Sequence, residues 1–378
     1  MDFLLTVELP YLINALLRLV ILVFFIALLG LFVGLGIQKR RLALRAAKDI
    51  ERIKNYSQQL MAIEAGTLWK IDSVKSMRDL ICLGRAYREC RQVQPQGHSF
   101  QFDESRYPLK IMMLKEAISA NSSGSKWGTR YQTIDTIANL KLHSLFGFLL
   151  QHSLVEKNSS VTSHCLHVCA LLLRTGEEFD ALSHRLDHDD QLSTNLVEGL
   201  SRVAIQQLKK NQPEAIVQQH LSVCLTAAAY GRLFKIGLIN AIGKEQLASL
   251  KEVLIELARE STAGINIAAN SPPDDGAITL AVMRAIANFG QYDPLIRSQL
   301  ESEQPTIQVV ALRSSIHCDD ESMKLVAQQL HSLHFDVRYA AAMTLEKMGA
   351  RGRYALRIAR MSTDRYAKNI ATFALAVN

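Results

Sequence analysis

The first long apolar run of the chain contains no charged position. Leu19 to Ile37 is a run of nineteen uncharged residues, and an apolar extension reaches back to Tyr11. About 20 apolar residues in a helix cross the hydrocarbon core of a bilayer. The pattern therefore predicts a transmembrane helix over residues 11–37, preceded by a short extracytoplasmic tail of residues 1–10.

Beyond this run, apolar residues recur at helical spacing between short polar turns, and this pattern predicts an all-α protein. Helices are expected at 67–90, 109–120, 134–150, 162–173, 177–186, 192–209, 213–230, 233–242 and 244–259. Glycine, proline, serine and other polar residues predict a loop at 92–107, a flexible linker at 121–128 and a break at 262–276. The predicted regions are a juxtamembrane segment (38–128), degenerate helical repeats (129–273) and clearer repeats (274–378).

A similar pattern recurs in the last hundred residues. Ile278, Ile307, Val337 and Arg365 stand at corresponding places in four similar stretches, with steps of 29, 30 and 28 residues. A short pair of helices cannot bury its apolar face alone and stacks on a copy of itself, so a fixed period of this size is typical of a solenoid. The repeat favours a binding scaffold over an enzyme.

One unit of this repeat can be followed residue by residue. Asp319 and the acids after it suit a helix start, and Asp336 is expected to cap the second helix. Ala340, Ala341, Leu345 and Met348 form the expected inward face of that second helix. Gly349 has the position of a helix-ending glycine.

The stretch with Asp336-Val337-Arg338, Ala340, Ala341, Leu345 and Gly349 resembles the HEAT-repeat family, a group of armadillo-like α-solenoids, in a compact bacterial membrane-anchored form. The resemblance covers about residues 274–378. It implies that Asp336 and Arg338 bridge adjacent repeats and that the repeats bind a protein partner. By analogy, it also implies an accessory role in an envelope or surface-polysaccharide machinery.

Basic residues follow the apolar run. Lys39, Arg40, Arg41 and Arg45 come directly after it, whereas acids precede it, an order opposite to that of a signal peptide. The positive-inside rule places the C-terminal bulk in the cytoplasm, as in a single-pass inner-membrane protein. Residues 39–54 could also attract anionic lipid, or form a short coiled coil. Gly30 and Gly34 would permit close packing against another membrane helix.

Charge and cysteine content narrow the function classes only slightly. The formal net charge of +7 is compatible with nucleic acid, anionic lipid or local basic patches. Six cysteines are scattered without a disulfide framework, so free thiols in a reducing compartment are expected.

Two polar clusters are candidates for metal binding. His164, Cys165, His167 and Cys169 lie close together, but on a helix the two histidines and the two cysteines point about 100° apart. The acidic stretch from His184 to Asp190 is expected to cap the next helix. Neither supplies a convergent ligand set, and no nucleophile, phosphate-loop or His-Glu motif occurs. We expect no metal, no cofactor and no enzymatic activity.

The candidate partner-binding residues lie near the C-terminus. Arg353, Arg357 and Arg360 share one helical face, and Arg365 and Lys368 follow closely. Residues 336–378 contain eight basic and three acidic residues. The sequence predicts a membrane-anchored scaffold that binds a protein. The alternatives are a catalytic HEAT-type protein with a groove, or a binder of anionic lipid or, less favoured, nucleic acid.

Overall fold

The computed structural model describes residues 2–64, 71, 74–93, 104, 107–119, 127–189, 192–265 and 276–377. These residues are helical apart from turns and connections, and no strand occurs among them. The α-helices are α1 (Asp2–Glu64), α2 (Met77–Val93), α3 (Pro108–Ser119), α4 (Trp127–Leu140), α5 (Phe146–Val155), α6 (Ser159–Leu172), α7 (Gly176–Asp187), α8 (Thr194–Asn211), α9 (Glu214–Thr226), α10 (Arg232–Lys244), α11 (Lys251–Ile265), α12 (Gly276–Asn288), α13 (Pro294–Gln299), α14 (Pro305–Ser314), α15 (Asp320–Gln328), α16 (Phe335–Lys347), α17 (Ala350–Arg360) and α18 (Arg365–Ala376).

The N-terminal helix α1 is continuous over 63 residues, or about 95 Å at 1.5 Å per residue. Within the described ranges it is the one helix long and apolar enough to cross a membrane. The apolar side chains from Leu19 to Ile37 are exposed. The helix already begins at Asp2, so residues 2–10, predicted as a short extracytoplasmic tail, are helical and continuous with the rest of α1.

The chain divides into two compact units. The first comprises residues 1–120 with 135–141, and the second comprises residues 121–134 with 142–378. In the first unit, α1 packs along α2, and Tyr56 and Leu60 of α1 are buried. The Arg78 guanidinium donates to both oxygens of Asp49, at 2.6 and 2.8 Å, and thereby fixes α2 against α1.

The start of α2 differs from the predicted 67–90 boundary. The Asp79 carboxylate accepts from the amide and the hydroxyl of Ser76, at 2.9 and 2.7 Å, while the Asp79 amide donates to the Ser76 hydroxyl. This reciprocal arrangement caps the helix, which therefore begins at Met77. Residues 67–70, 72 and 73 lie outside the described residues.

In the second unit, every second helix packs against the next one in the series. α6 contacts α8, α8 contacts α10, and the series continues through α12, α14 and α16 to α18. The intervening helices also pack on one another in places, as α7 does on α9 and α9 on α11. We call the helices α6, α8, α10, α12, α14, α16 and α18 the inner series.

The inner series shares one order of buried positions. In α14 the buried residues are Ile307, then 310–312, then 314 and 315. The same order recurs in α16 from Val337, in α10 from Phe234 and in α6 from Cys165. Three helices follow this order with small deviations. In α12, residue 278 is half-buried, and in α8, Arg202 is exposed. In α18, residue 372 is exposed and residue 375 is half-buried. Each helix of the series therefore presents the same side to its neighbours.

This order corrects the last step of the sequence repeat. Ala367, and not Arg365, is buried at the place of Val337, since Arg365 is exposed. The corrected starting positions are 165, 197, 234, 278, 307, 337 and 367, with steps of 32, 37, 44, 29, 30 and 30 residues. The unequal early steps explain why the repeat cannot be followed before residue 274 from sequence alone.

Two glycines permit close contact within the inner series. A Cβ atom on Gly243 would lie 2.7 Å from the Cα of Ala285 in α12. A Cβ atom on Gly237 would lie 2.7 Å from a methyl carbon of Val197 in α8. Larger residues at these positions would therefore push α10 away from its neighbours.

Other helix boundaries also differ from prediction. The expected helix 134–150 is broken because Lys141 adopts a positive φ of 53°, which ends α4 and begins a short 3₁₀ turn before α5. Gln246, also at 53°, similarly separates α10 from α11. Pro213, the predicted first residue of the helix 213–230, is instead the N-cap of α9. Trp127 and Gly128 belong to α4, and 262–265 to α11. Outside the described residues lie 121–126 of the predicted linker, 266–275 of the predicted break and most of the predicted loop, including 94–103.

Candidate binding surface

The surface at the C-terminal end of the second unit is built from α16, α17 and α18. Gly349 adopts a φ of +70°, which suits glycine, and it ends α16 as the sequence predicts. Asp364 accepts from the amides of Tyr366 and Ala367 and is the N-cap of α18. His331 also contacts Asp364, at 2.8 Å, and these bonds lower the pKa of that carboxyl.

The predicted basic residues of α17 lie on one exposed face. Arg353, Arg357 and Arg360 are all exposed, next to the side of the helix that buries Gly352, Leu356 and Ala359. Arg353 is 3.7 Å from a Glu346 oxygen, whereas no ion pair involves Arg357 or Arg360 among the described residues. This face carries net positive charge in solvent.

The two predicted basic residues of α18 are exposed as well. Arg365 and Lys368 are both exposed, whereas Ala371 and Ala374 of the same helix are buried. The structure thus distributes the five predicted partner-binding residues over two neighbouring helices, and three of them share a single face.

Asp336 and Arg338, the predicted bridge between repeats, have separate environments. The Arg338 Nη1 group donates to the carbonyls of Ser332 and Leu333 in the turn before α16, at 2.6 and 3.0 Å. Asp336 lies in the first turn of α16, where its charge complements the helix dipole, but His334 is the N-cap. Within the described part of the chain, the Asp336 carboxylate has no hydrogen bond or ion pair, so Asp336 as cap is a wrong prediction.

The structure also places an aromatic cluster around Arg338 that sequence reasoning missed. The Arg338 guanidinium lies 5.9 Å from the ring centre of Phe335 and 5.0 Å from that of Tyr366 in α18. Tyr339 lies beside Phe335 and Phe373, with ring centres 6.1 and 6.2 Å apart. The cluster therefore joins α16 to α18 through rings and one cation.

Most of these rings are open to solvent. The exposed fraction is 60% for Phe335, 66% for Tyr366 and 48% for Phe373, and Leu333 beside them is 94% exposed. We call Leu333, Phe335, Arg338, Tyr366 and Phe373 the arginine–aromatic surface. Aromatic residues and arginine are enriched where proteins bind one another. The spacing of Phe335 and Tyr339, four residues apart beside an alanine stripe, is the sequence signal that could have revealed it.

The predicted membrane-proximal basic residues lie on α1. Lys39, Arg40, Arg41 and Arg45 are exposed, and the Arg45 carbonyl accepts from Arg78 at 3.3 Å. In this stretch the helix carries its cations on several sides, as a solvated segment would.

The predicted histidine and cysteine cluster in α6 lies largely inside the protein. Cys165 and Cys169 are fully buried, and burial raises the pKa of Cys165 to about 12 and that of Cys169 well above its ordinary value. His164 stacks on Tyr131 with ring centres 3.8 Å apart, and burial lowers the pKa of His167. Such thiols are poor nucleophiles and serve packing.

The acidic stretch after α7 has roles other than capping α8. Asp187 accepts from the Gly231 amide at 2.6 Å, and Asp189 pairs with Arg185 at 2.8 Å. Ser193 is the N-cap of α8, so the expected capping by these acids is wrong. Asp190 lies outside the described residues.

A second group of ionisable side chains is deeply buried at the other end of the unit. Arg130 of α4 donates to both oxygens of Glu156, at 2.8 and 2.9 Å, and His152 contacts the same carboxylate at 3.2 Å. The Glu156 side chain is 1% exposed and that of Arg130 is 2% exposed. Burial alone would raise the pKa of Glu156, but the Asn158 amide and Arg130 outweigh it and lower the pKa. This group is a buried ionic network.

Within the described ranges, no three histidine, cysteine or acidic residues converge as metal ligands. No protein-family model and no curated protein matches this chain.

Proposed function

We propose that this chain is a single-pass protein of a bacterial inner membrane whose cytoplasmic part is a HEAT-like α-solenoid. In this proposal α1 anchors the protein, and the helical repeats form a scaffold that binds a protein partner, as an accessory part of an envelope machinery. The proposed role is binding, without catalysis and without a cofactor.

The length and composition of α1 support the membrane anchor. Its exposed apolar segment ends at Ile37, and 27 further residues continue the same helix to Glu64, or about 40 Å. The end of this helix packs on α2 through Tyr56 and Leu60. A removable signal segment has no need to continue into folded contacts, so the continuity favours an anchor.

The inner series supports the repeat scaffold. Its helices contact one another in order and bury the same positions, as expected when identical units stack on their neighbours. Solenoids of this kind characteristically offer extended surfaces to partners.

The arginine–aromatic surface is the observation that carries the binding proposal. Large apolar side chains stay exposed there although the last helices of the series bury their alanines well. Contiguous exposed apolar surface with an arginine is typical of interaction sites.

Topology and partner binding can be tested in one strain. A reporter that is active only in the cytoplasm should be active when fused after Asn378. The same fusion to a chain lacking residues 11–37 should no longer be found in the membrane fraction. Crosslinking and capture from solubilised membranes should then recover proteins with the intact chain that are lost when residues 274–378 are removed. The proposal would be contradicted if a reporter that works only outside the cytoplasm were active after Asn378. It would also be contradicted if the intact chain and the chain lacking residues 274–378 recovered the same proteins.

A further inference from the structure

Arg338 is held in place by the protein itself. Its Nη1 group donates hydrogen bonds to the carbonyls of Ser332 and Leu333, and its guanidinium lies close to the rings of Phe335 and Tyr366. An arginine fixed in this way loses little side-chain entropy when it binds a further group.

The other edge of the same guanidinium remains available. An arginine has five N–H donors, and among the described residues no acceptor is bonded to the Nε or Nη2 groups of Arg338. These two groups form a parallel fork that matches the two oxygens of a carboxylate. The free edge is therefore the one suited to bidentate recognition.

Among the described residues, no acidic side chain forms an ion pair with Arg338. Asp364 is occupied by His331 and by two amides of α18, and Asp336 is exposed without bonding to Arg338. Arg365 and Lys368 add exposed positive charge on α18. The electrostatic complement of this surface is an anion.

The neighbouring side chains specify the other half of the ligand. The Phe335 ring lies 5.9 Å from the guanidinium, and Leu333, Phe335 and Phe373 all expose apolar area. The rings of Phe335 and Phe373 are also held by contact with Tyr339, so the apolar part is preorganised as well. A purely ionic ligand would leave this area in water.

We infer that the arginine–aromatic surface binds a protein segment in which an Asp or Glu carboxylate stands between apolar side chains. The carboxylate receives two hydrogen bonds from Arg338, and the apolar side chains pack on Phe335 and Phe373. This inference rests on the proposed scaffold function and names the chemistry of its partner.

The test uses the full chain in detergent micelles and an array of labelled ten-residue peptides. Each peptide carries one Glu among Leu, Phe and Ser in varied order, and each has a matched copy with Gln. In fluorescence polarisation, a subset of Glu peptides should bind the natural chain about tenfold more tightly than their Gln copies. Arg338→Gln should abolish this preference, whereas Arg313→Gln, at an exposed arginine of α14 that belongs to no predicted binding face, should retain it.

Two further variants separate recognition from folding. Arg338→Lys keeps the charge and a donor for the turn carbonyls but lacks the fork, so its preference for Glu should fall below that of the natural chain. Phe373→Gln removes a half-exposed ring on α18. It should weaken the binding of Glu peptides and of Gln peptides by the same factor. Circular dichroism melting curves should match those of the natural chain for each variant.

A natural chain that shows no preference for Glu over Gln across the array would overturn the inference. So would a preference that persists in Arg338→Gln, or Arg338-dependent binding to phosphatidylserine vesicles or to a second copy of the chain in place of the peptides. Membrane topology and partner capture are measured independently, so the scaffold proposal can survive this failure.

Discussion

Two arginines at opposite ends of the second unit have contrasting environments. Arg130 is 2% exposed and gives two hydrogen bonds to a buried carboxylate, whereas Arg338 is partly exposed and contacts two rings and two turn carbonyls. Arg130 has its anion within the protein, whereas Arg338 pairs with no acidic side chain in the part of the chain that the structure describes. An arginine thus stabilises the fold where a carboxylate of the same chain pairs with it, and it is suited to recognition where no such carboxylate is bonded to it.

Removal of the internal anion should have the largest effect on stability. Glu156→Gln leaves the buried charge of Arg130 without a carboxylate, which typically costs about 3–5 kcal/mol of unfolding free energy. Urea denaturation of the purified chain, followed by circular dichroism, measures this loss. Glu256→Gln is the control, because its pair with Arg259 is exposed and should contribute less than about 1 kcal/mol. Equal effects of both variants would show that the Arg130 network is not structural.

A second prediction concerns the packing of α10 against α12 in the inner series. Gly243→Ala places a Cβ atom 2.7 Å from the Ala285 backbone and should destabilise the chain by about 1–3 kcal/mol. Gly199→Ala, on an exposed and open part of α8, should instead stabilise it by about 0.5–1 kcal/mol. Thermal melting of the two variants provides the comparison. Shifts of the same sign would mean that α10 and α12 do not approach each other as described.

The pH dependence of stability should differ between the two ends. The pKa of Glu156 is lower in the folded chain than its ordinary value of 4.5. A lowered folded pKa contributes stability above the unfolded pKa, and this stability is lost as pH falls below about 4.5 toward the folded value. In urea titrations at stepwise lower pH, the natural chain should lose stability more steeply than Glu156→Gln, and Arg338→Gln should follow the natural chain. Parallel curves for the natural chain and Glu156→Gln would contradict the assignment.

The smallest effect on stability is expected on the basic face of α17. Replacing Arg353, Arg357 and Arg360 together by Gln should change the unfolding free energy by less than about 0.5 kcal/mol per residue, because these side chains are exposed. If this face binds anions, flotation with phosphatidylserine vesicles should weaken in the triple variant and in high salt. A large loss of stability would instead assign these arginines to the fold.

Much of the helical architecture could be predicted from the sequence. The charge-free run up to Ile37 predicts a long apolar helix, and the alanines of α16 with Gly349 predict a helix and its end, because spacing and capping are local properties. The short breaks at Lys141 and Gln246 could not be predicted, since neither residue type favours a positive φ. Tertiary packing imposes these conformations.

The candidate surface was predictable only in part. The exposed arginines of α17 follow from helical spacing, but the contacts of Arg338 with Tyr366 join residues 28 positions apart on two helices. The sequence places Arg365 at the position of Val337, whereas packing places Ala367 there. A helical pattern of small residues permits more than one alignment, and only burial distinguishes between them.

The shared burial order of the inner series makes the chain divisible. Ile278 and Ile307 occupy the same place 29 residues apart, so deletion of residues 278–306 would bring α14 against α10 with the sides that α12 and α10 now present to each other. The terminal helices and the arginine–aromatic surface on α16 and α18 would be retained. A protein of this design can change in length by whole helix pairs during evolution while its two ends keep their separate tasks.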